Sequence, residues 1–246
     1  MKVIAIIQAR MSSQRLPGKV IKLINGQPMI VQIYNRVKKS KNIDEIIVAT
    51  SNEADDDELC KICSENGINV FRGSLEDVLC RFYICAENAN ADCIVRLTGD
   101  NCLVDAELID RAINIFIREK VDYLSYCREL PLGMSTEVFS FAALKKCQEE
   151  TNNKECREHV TLYMYKNNEE FNCLKFSDGN LDDFSNVRLT VDTLEDFNVA
   201  EKIYENFQGQ DFGYKDIISL TAKKPEIFSI NSSIKQKNTE YKGNNV

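Results

Sequence analysis

Short apolar, β-branched runs alternate with longer amphipathic ones from the start of the chain, and this alternation constrains the fold more than any other feature of the sequence. Runs of strand length fall at 3–8, 46–50, 69–72 and 93–98. Between them, 30–39, 57–66 and 75–90 repeat apolar residues at three and four positions, the period of a helix that buries one face. Parallel strands need long crossover connections, so this β-α-β-α order predicts an α/β fold with a mostly parallel central sheet flanked by helices on both faces. A helix over about 105–118 and a strand near 123–126 extend the pattern. It then loosens into strands at 136–139, 172–176 and 187–191 and helices at 142–149, 158–166, 194–206 and 214–223.

Ligands of open α/β sheets sit beyond the carboxyl ends of the strands, so the residues that follow each strand are the informative ones. After the first run, the segment from Arg10 to Lys19 places three cations (Arg10, Arg15, Lys19) and two hydroxyls (Ser12, Ser13) within ten residues. That composition suits a polyphosphate. It is not a Walker A loop, which needs Gly where Ser13 stands and Ser or Thr where Val20 stands, and Pro17 removes a backbone donor. No G-x-G-x-x-G occurs either, which argues against a dinucleotide site.

Asp100 and Asp192 each end a predicted strand, in Arg96-Leu97-Thr98-Gly99-Asp100 and Arg188-Leu189-Thr190-Val191-Asp192. Two carboxylates at one sheet edge beside a phosphate loop suit Mg²⁺, which takes one or two carboxylates and completes its shell with phosphate and water. Taken singly, Gly99-Asp100-Asn101 also reads as a turn and Asp192-Thr193 as a helix cap. Without a ligand the two carboxylates are expected to repel each other. His159, the only histidine, reads as structural or as ligand-facing, and Glu137 as facing either cleft or solvent. Ser74 reads as the cap of the helix over 75–90, with Asp77 in the capping-box position, which leaves the flanking Arg72 and Arg81 unexplained. Cys60 and Cys63 form a C-x-x-C inside a helical pattern with no second pair, so packing accounts for them.

The 246 residues, at about 150 per domain, lie between one and two domains, and 43% hydrophobic content supplies one large core. With 31 Lys and Arg against 38 Asp and Glu, the net charge of −7 gives no general attraction for nucleic acid or an anionic membrane surface. No apolar run approaches the roughly 18 residues of a membrane span, and the apolar start is too short for a signal segment, so a cytoplasmic protein is expected. Its ten cysteines lie singly in apolar stretches and are expected as free thiols. Residues 236–246 are polar and aperiodic and are expected to be a disordered tail.

Together these residues resemble a family. Ala9-Arg10-Met11-Ser12-Ser13-Gln14-Arg15-Leu16-Pro17-Gly18-Lys19, followed by Asn25-Gly26-Gln27-Pro28-Met29, resembles the opening of the cytidylyltransferases that make CMP-activated sugar acids. The SpsF-like type of spore-coat polysaccharide synthesis is most similar, with the CMP-Kdo and CMP-sialic acid synthetases further off. The likeness runs on through Arg72-Gly73-Ser74 with Asp77-Val78-Leu79 and Arg81, Leu97-Thr98-Gly99-Asp100, Glu137-Val138-Phe139-Ser140, Arg157-Glu158-His159-Val160-Thr161 and Arg188-Leu189-Thr190-Val191-Asp192. The chain departs from the family pattern at Cys102, Leu162 and Leu194, where proline is usual, and at Leu132 and Ser135, where an acidic residue is common.

The resemblance implies a nucleotidyltransferase fold of the glycosyltransferase-A, Rossmann-like kind over one domain of residues 1–235. The nucleotide half would cover about 1–105 and the acceptor half about 106–235. It further implies CTP as donor, Mg²⁺ dependence and a homodimer. Lys19 and Arg10, with Arg15 and Ser12, would hold the triphosphate, and Asp100 and Asp192 the Mg²⁺. Gln8, Ala9, Arg72, Ser74 and Arg81 would border the base and ribose, and Glu137, Arg157, His159 and Arg188 a small anionic or sugar acceptor. A glycosyltransferase of the same fold and a catalytically silent nucleotide-binding domain are the alternatives. The intact Lys19, Asp100 and Asp192 weigh against the silent one.

Overall fold

The computed structural model describes residues 1–126, 129–177 and 183–235, so the expected tail at 236–246 lies outside the described residues. In chain order the elements are β1 (Val3–Gln8), the hairpin strands β2 (Leu23–Ile24) and β3 (Gln27–Pro28), α1 (Met29–Val37), β4 (Glu45–Ser51), α2 (Asp57–Glu65), β5 (Asn69–Gly73), α3 (Val78–Asn88), β6 (Cys93–Thr98), α4 (Ala106–Glu119), β7 (Tyr123–Tyr126), β8 (Glu137–Ser140), α5 (Phe141–Glu150), α6 (Lys154–Glu158), α7 (Leu162–Lys166), β9 (Cys173–Phe176), α8 (Leu194–Phe207), α9 (Tyr214–Lys223) and α10 (Pro225–Ser229). The expected mostly parallel sheet is present as seven strands in the order β5-β4-β1-β6-β8-β7-β9.

β1 pairs in parallel with β4 and β6, setting Ile6 opposite Ile47 and Arg96. Such a strand is covered on both faces, which is why it reads as a continuous apolar run. Val3, Ala5 and Ile7 join the core beneath α1, α2, α4, α8 and α9, whereas Ile4 and Ile6 join a second cluster beneath α3, α5 and α7. β8 lies antiparallel between β6 and β7, and β9 runs parallel to β7 at the edge. The sheet therefore continues unbroken across the expected division near residue 105. Among the described residues no helix is long and apolar enough to cross a membrane.

The nine described cysteines are free thiols. Cys63, Cys93 and Cys102 sit in the first core cluster, and Cys85 and Cys147 in the second. Burial pushes each of these five up to about 12.

Three local expectations are corrected and one element is added. The run 187–191 forms no strand but a single bridge between Leu132 and Arg188. Its backbone is engaged otherwise: Val191 N–H donates to the Asp100 carbonyl, the Val191 carbonyl accepts from Lys19, and the Arg188 carbonyl accepts from Asn231. The helix over 158–166 is two short helices, α6 and α7, broken at residues 159–161, where the Thr161 hydroxyl donates to Glu137. α3 begins at Val78, later than expected. Asp77 is its cap, accepting from Cys80 N–H, and Ser74 accepts from Asp77 N–H one turn earlier. The hairpin was missed although Asn25-Gly26 carries its signal, both residues having the positive φ of a two-residue turn.

Candidate active site

The cation-rich loop leaves β1 at the carboxyl edge of the sheet and closes on one carbonyl. Met11 O accepts from Ser13 N–H at 2.8 Å and from Gly18 N–H at 3.0 Å. Asp56, buried at the start of α2, braces it by accepting from Met11 N–H at 2.7 Å while its other oxygen accepts from the Thr50 hydroxyl and Ser51 N–H. Burial alone would raise the Asp56 carboxyl, but these hydrogen bonds prevail and hold it below the usual range. Gly18, at φ 66°, adopts the left-handed conformation that glycine accepts without strain and leads into a single 3₁₀ turn opened by Lys19.

Lys19 is 8% exposed. Its ammonium donates to Val191 O at 2.7 Å and to Asp192 Oδ1 at 3.0 Å, and lies 3.6 Å from Asp100 Oδ2. The Asp100 turn is drawn against the loop by the Gly99 N–H bond to Gln8 O at 2.7 Å. A Cβ at Gly99 would stand 2.8 Å from that of Ala9, so only glycine permits the approach. Thr98 Oγ1 donates to the Asp100 carboxylate. Thr193, not Asp192, caps α8. Asp192 instead takes Arg15 Nη2 and Arg188 Nη2, each at 2.9 Å, on Oδ2. Burial would raise its pKa, but Lys19, Arg15 and Arg188 outweigh it and hold the carboxyl below its ordinary value. The expected repulsion between two bare carboxylates is thereby corrected: a cation already stands between them.

Two aspartates gathered around one positive charge are hard oxygen donors of the kind Mg²⁺ takes, so the donor set fits that ion in its chemistry. Among the described residues no group of three or more His, Cys, Asp or Glu side chains offers a denser cage.

The other candidates fall into two groups. Arg10 and Ser12 are exposed, and Arg10 pairs with no carboxylate among the described residues. Arg81 lies beneath Ser74: it is 1% exposed, donates from Nη1 to Ser74 O, and its Nε has no partner among the described residues. Burial, followed by the charge of nearby Arg10, brings it down to about 10. His159 follows α6 and is half-buried. The remaining side chains are held by the protein itself. Arg72 bonds Ser51 O, Glu53 O and Asp57. Arg157 grips Asp77 with two nitrogens and reaches the carbonyls of Gln148 and Thr151. Arg188 binds Asp192 and Asp196. Glu137 accepts from Arg96, Tyr123 and Thr161.

Sequence reading missed Asp56 and Arg96, whose side-chain partners lie on other elements, and Asp196, whose local signal is only that of a capping box with Thr193. Asp192, Asp196 and Glu137 all have pKa values below the ordinary ones, because ion pairs and hydrogen bonds outweigh burial. Lowered carboxyls contribute stability that is complete above the unfolded values near 4 and is lost as the pH falls through the folded values. The melting temperature is therefore expected to stay level from pH 7 to about 5 and to fall steeply below about 4. Asp196→Asn should flatten that acid limb, as pH-dependent melting curves would show.

A family model described as cytidylyltransferase matches residues 4–245. An uncharacterized protein of Methanocaldococcus jannaschii is 39% identical over 96% of this chain and 97% of its own. The spore coat polysaccharide biosynthesis protein SpsF of Bacillus subtilis is 34% identical over 91% of this chain and 95% of its own. The solved structure of a cytidylyltransferase from Leptospira borgpetersenii superposes with a TM-score of 0.89 at 33% identity, covering 97% of this chain and all of that one.

Proposed function

The chain belongs to the cytidylyltransferase family, and from that membership we propose that it transfers CMP from CTP to a sugar acid or to a phosphate- or phosphonate-bearing acceptor, for cell-surface polysaccharide or glycan biosynthesis. An acceptor oxygen attacks the α-phosphorus, the bond to the bridging oxygen of the β-phosphate breaks, and pyrophosphate leaves. The protein's part is positioning and charge neutralisation. The observation that carries this reading is Lys19, buried between Asp100 and Asp192 at the carboxyl edge of the sheet with Arg15 beside them.

Lys19, Arg10 and Arg15, with Ser12, bind the triphosphate and stabilise charge on the leaving pyrophosphate. Asp100 and Asp192 would hold Mg²⁺, which when bound would supply charge neutralisation at the phosphates. Gln8, Ala9, Ser74 and Arg81 border the base and ribose. Arg72 shapes that border from behind, through its bonds to Ser51 and Glu53. Glu137 and His159 face the acceptor, while Arg157 and Arg188 orient Asp77 and Asp192.

Incubation with CTP, Mg²⁺ and a panel of sugar acids and phosphorylated or phosphonylated compounds should release pyrophosphate with at least one acceptor. No release with any of them would overturn the reading, because a glycosyltransferase or a silent nucleotide-binding domain produces none. The homodimer belongs to the same proposal, and light scattering should give twice the chain mass. His159→Gln is expected to raise the acceptor KM or slow turnover with CTP binding nearly unchanged, which calorimetry and initial rates separate. Weakened CTP binding with unaltered acceptor kinetics would move His159 to the nucleotide side.

A further inference from the structure

Asp192 is held from behind by a buried set of polar groups that neither nucleotide nor acceptor reaches in the reading above. Asp196, on the first turn of α8, has a fully buried side chain. Its Oδ2 accepts from the backbone N–H of Asp192 at 3.0 Å, from that of Thr193 at 3.1 Å and from Arg188 Nη2 at 3.1 Å. Its Oδ1 accepts from Arg188 Nε at 2.8 Å and from Asn231 Nδ2 at 2.8 Å. A capping box accounts for the Thr193 contact alone. It explains neither the burial of the carboxylate nor its hold on a guanidinium whose Nη2 goes on to Asp192 Oδ2 at 2.9 Å.

The amide of Asn231 closes this set from a distant part of the chain, after α10. It is 2% exposed, and the same Nδ2 donates to Arg188 O at 3.0 Å. One side-chain nitrogen thus fixes both the backbone of Arg188 and the carboxylate that aims its guanidinium. The main chain of Asp192 bonds that carboxylate directly and its side chain is linked to it through Arg188, while its Oδ1 is left to Lys19.

We infer that Asn231 is a positioning residue: acting through Asp196 and Arg188, it sets the orientation of the Asp192 carboxylate, so that the segment after α10 is a working part of the active site. This rests on the reading of Asp192 as a metal-holding carboxylate. Groups that orient a ligand from behind change metal affinity by on the order of tenfold or more when removed.

The test measures Mn²⁺ binding by electron paramagnetic resonance in the presence of a non-hydrolysable CTP analogue, for the full chain and for Asn231→Ala, Asn231→Ser and Asp192→Asn. The expected result is on the order of tenfold weaker Mn²⁺ binding in Asn231→Ala, with affinity for the analogue in the absence of metal unchanged. Asn231→Ser retains a donor of shorter reach and should lie between the alanine variant and the parent. It also carries the test if the alanine variant does not fold. Weakened binding in Asp192→Asn together with parental binding in the folded Asn231 variants overturns this inference alone, and the segment then only packs. Parental binding in Asp192→Asn overturns the metal reading, and the inference falls with it.

Discussion

Lys19→Ala is expected to lower turnover by on the order of a hundredfold to a thousandfold, the loss of ~2.7–4 kcal/mol of transition-state stabilisation that follows removal of one preorganised donor. Lys19 is buried and already charge-paired, so little conformational freedom is lost when it meets a phosphate. Its removal also leaves Asp100 and Asp192 facing each other, with only Arg15 and Arg188 to offset Asp192. Some stability should therefore be lost as well, and initial rates must be measured below the variant's melting temperature. Near-parental turnover in the folded variant would remove Lys19 from the chemistry.

Asp100→Asn and Asp192→Asn should each reduce turnover by roughly a thousandfold or more, because a neutral amide replaces a hard anionic donor beside the phosphates. Their stabilities should differ. Asp100 has the Thr98 hydroxyl and a Lys19 contact at 3.6 Å, so its variant should melt within a degree or two of the parent. Asp192 meets three cations and is held low by them, so neutralising it leaves Lys19, Arg15 and Arg188 less compensated and should cost roughly 1–3 kcal/mol, a drop of several degrees. Equal melting temperatures for the two variants would show that the three cations do not depend on Asp192.

Most of the centre of the site is legible because Lys19 lies in the loop that follows β1 and Asp100 in the turn that follows β6, where the sheet delivers its residues, and the alternating runs locate the sheet. Asp192 is reached through a run that reads as a strand and is held beside them by single backbone bonds instead. What supports them was not legible. Asp196 reads as one acid in the first turn of a helix, and nothing in its vicinity announces Asn231. Arg157 lies in a stretch that looks ligand-facing, yet it grips Asp77 on another helix. The run ending at Val191 shows the same limit from the other side. Its apolar alternation reads as a strand, but the site takes its backbone groups one by one, a competition that sequence periodicity does not encode. Glu137 was open between cleft and solvent, and only pairing with β6 brings Arg96 against it.

The thiols sealed beneath the sheet make the protein its own unfolding probe. A thiol held near 12 inside close packing is inert to alkylating reagents until its surroundings open, so its modification rate counts opening events. Cys102 lies under one face of the sheet and Cys85 under the other. Pulsed alkylation in mild denaturant, read peptide by peptide, would reveal whether the two faces come apart in one cooperative event or one face loosens first.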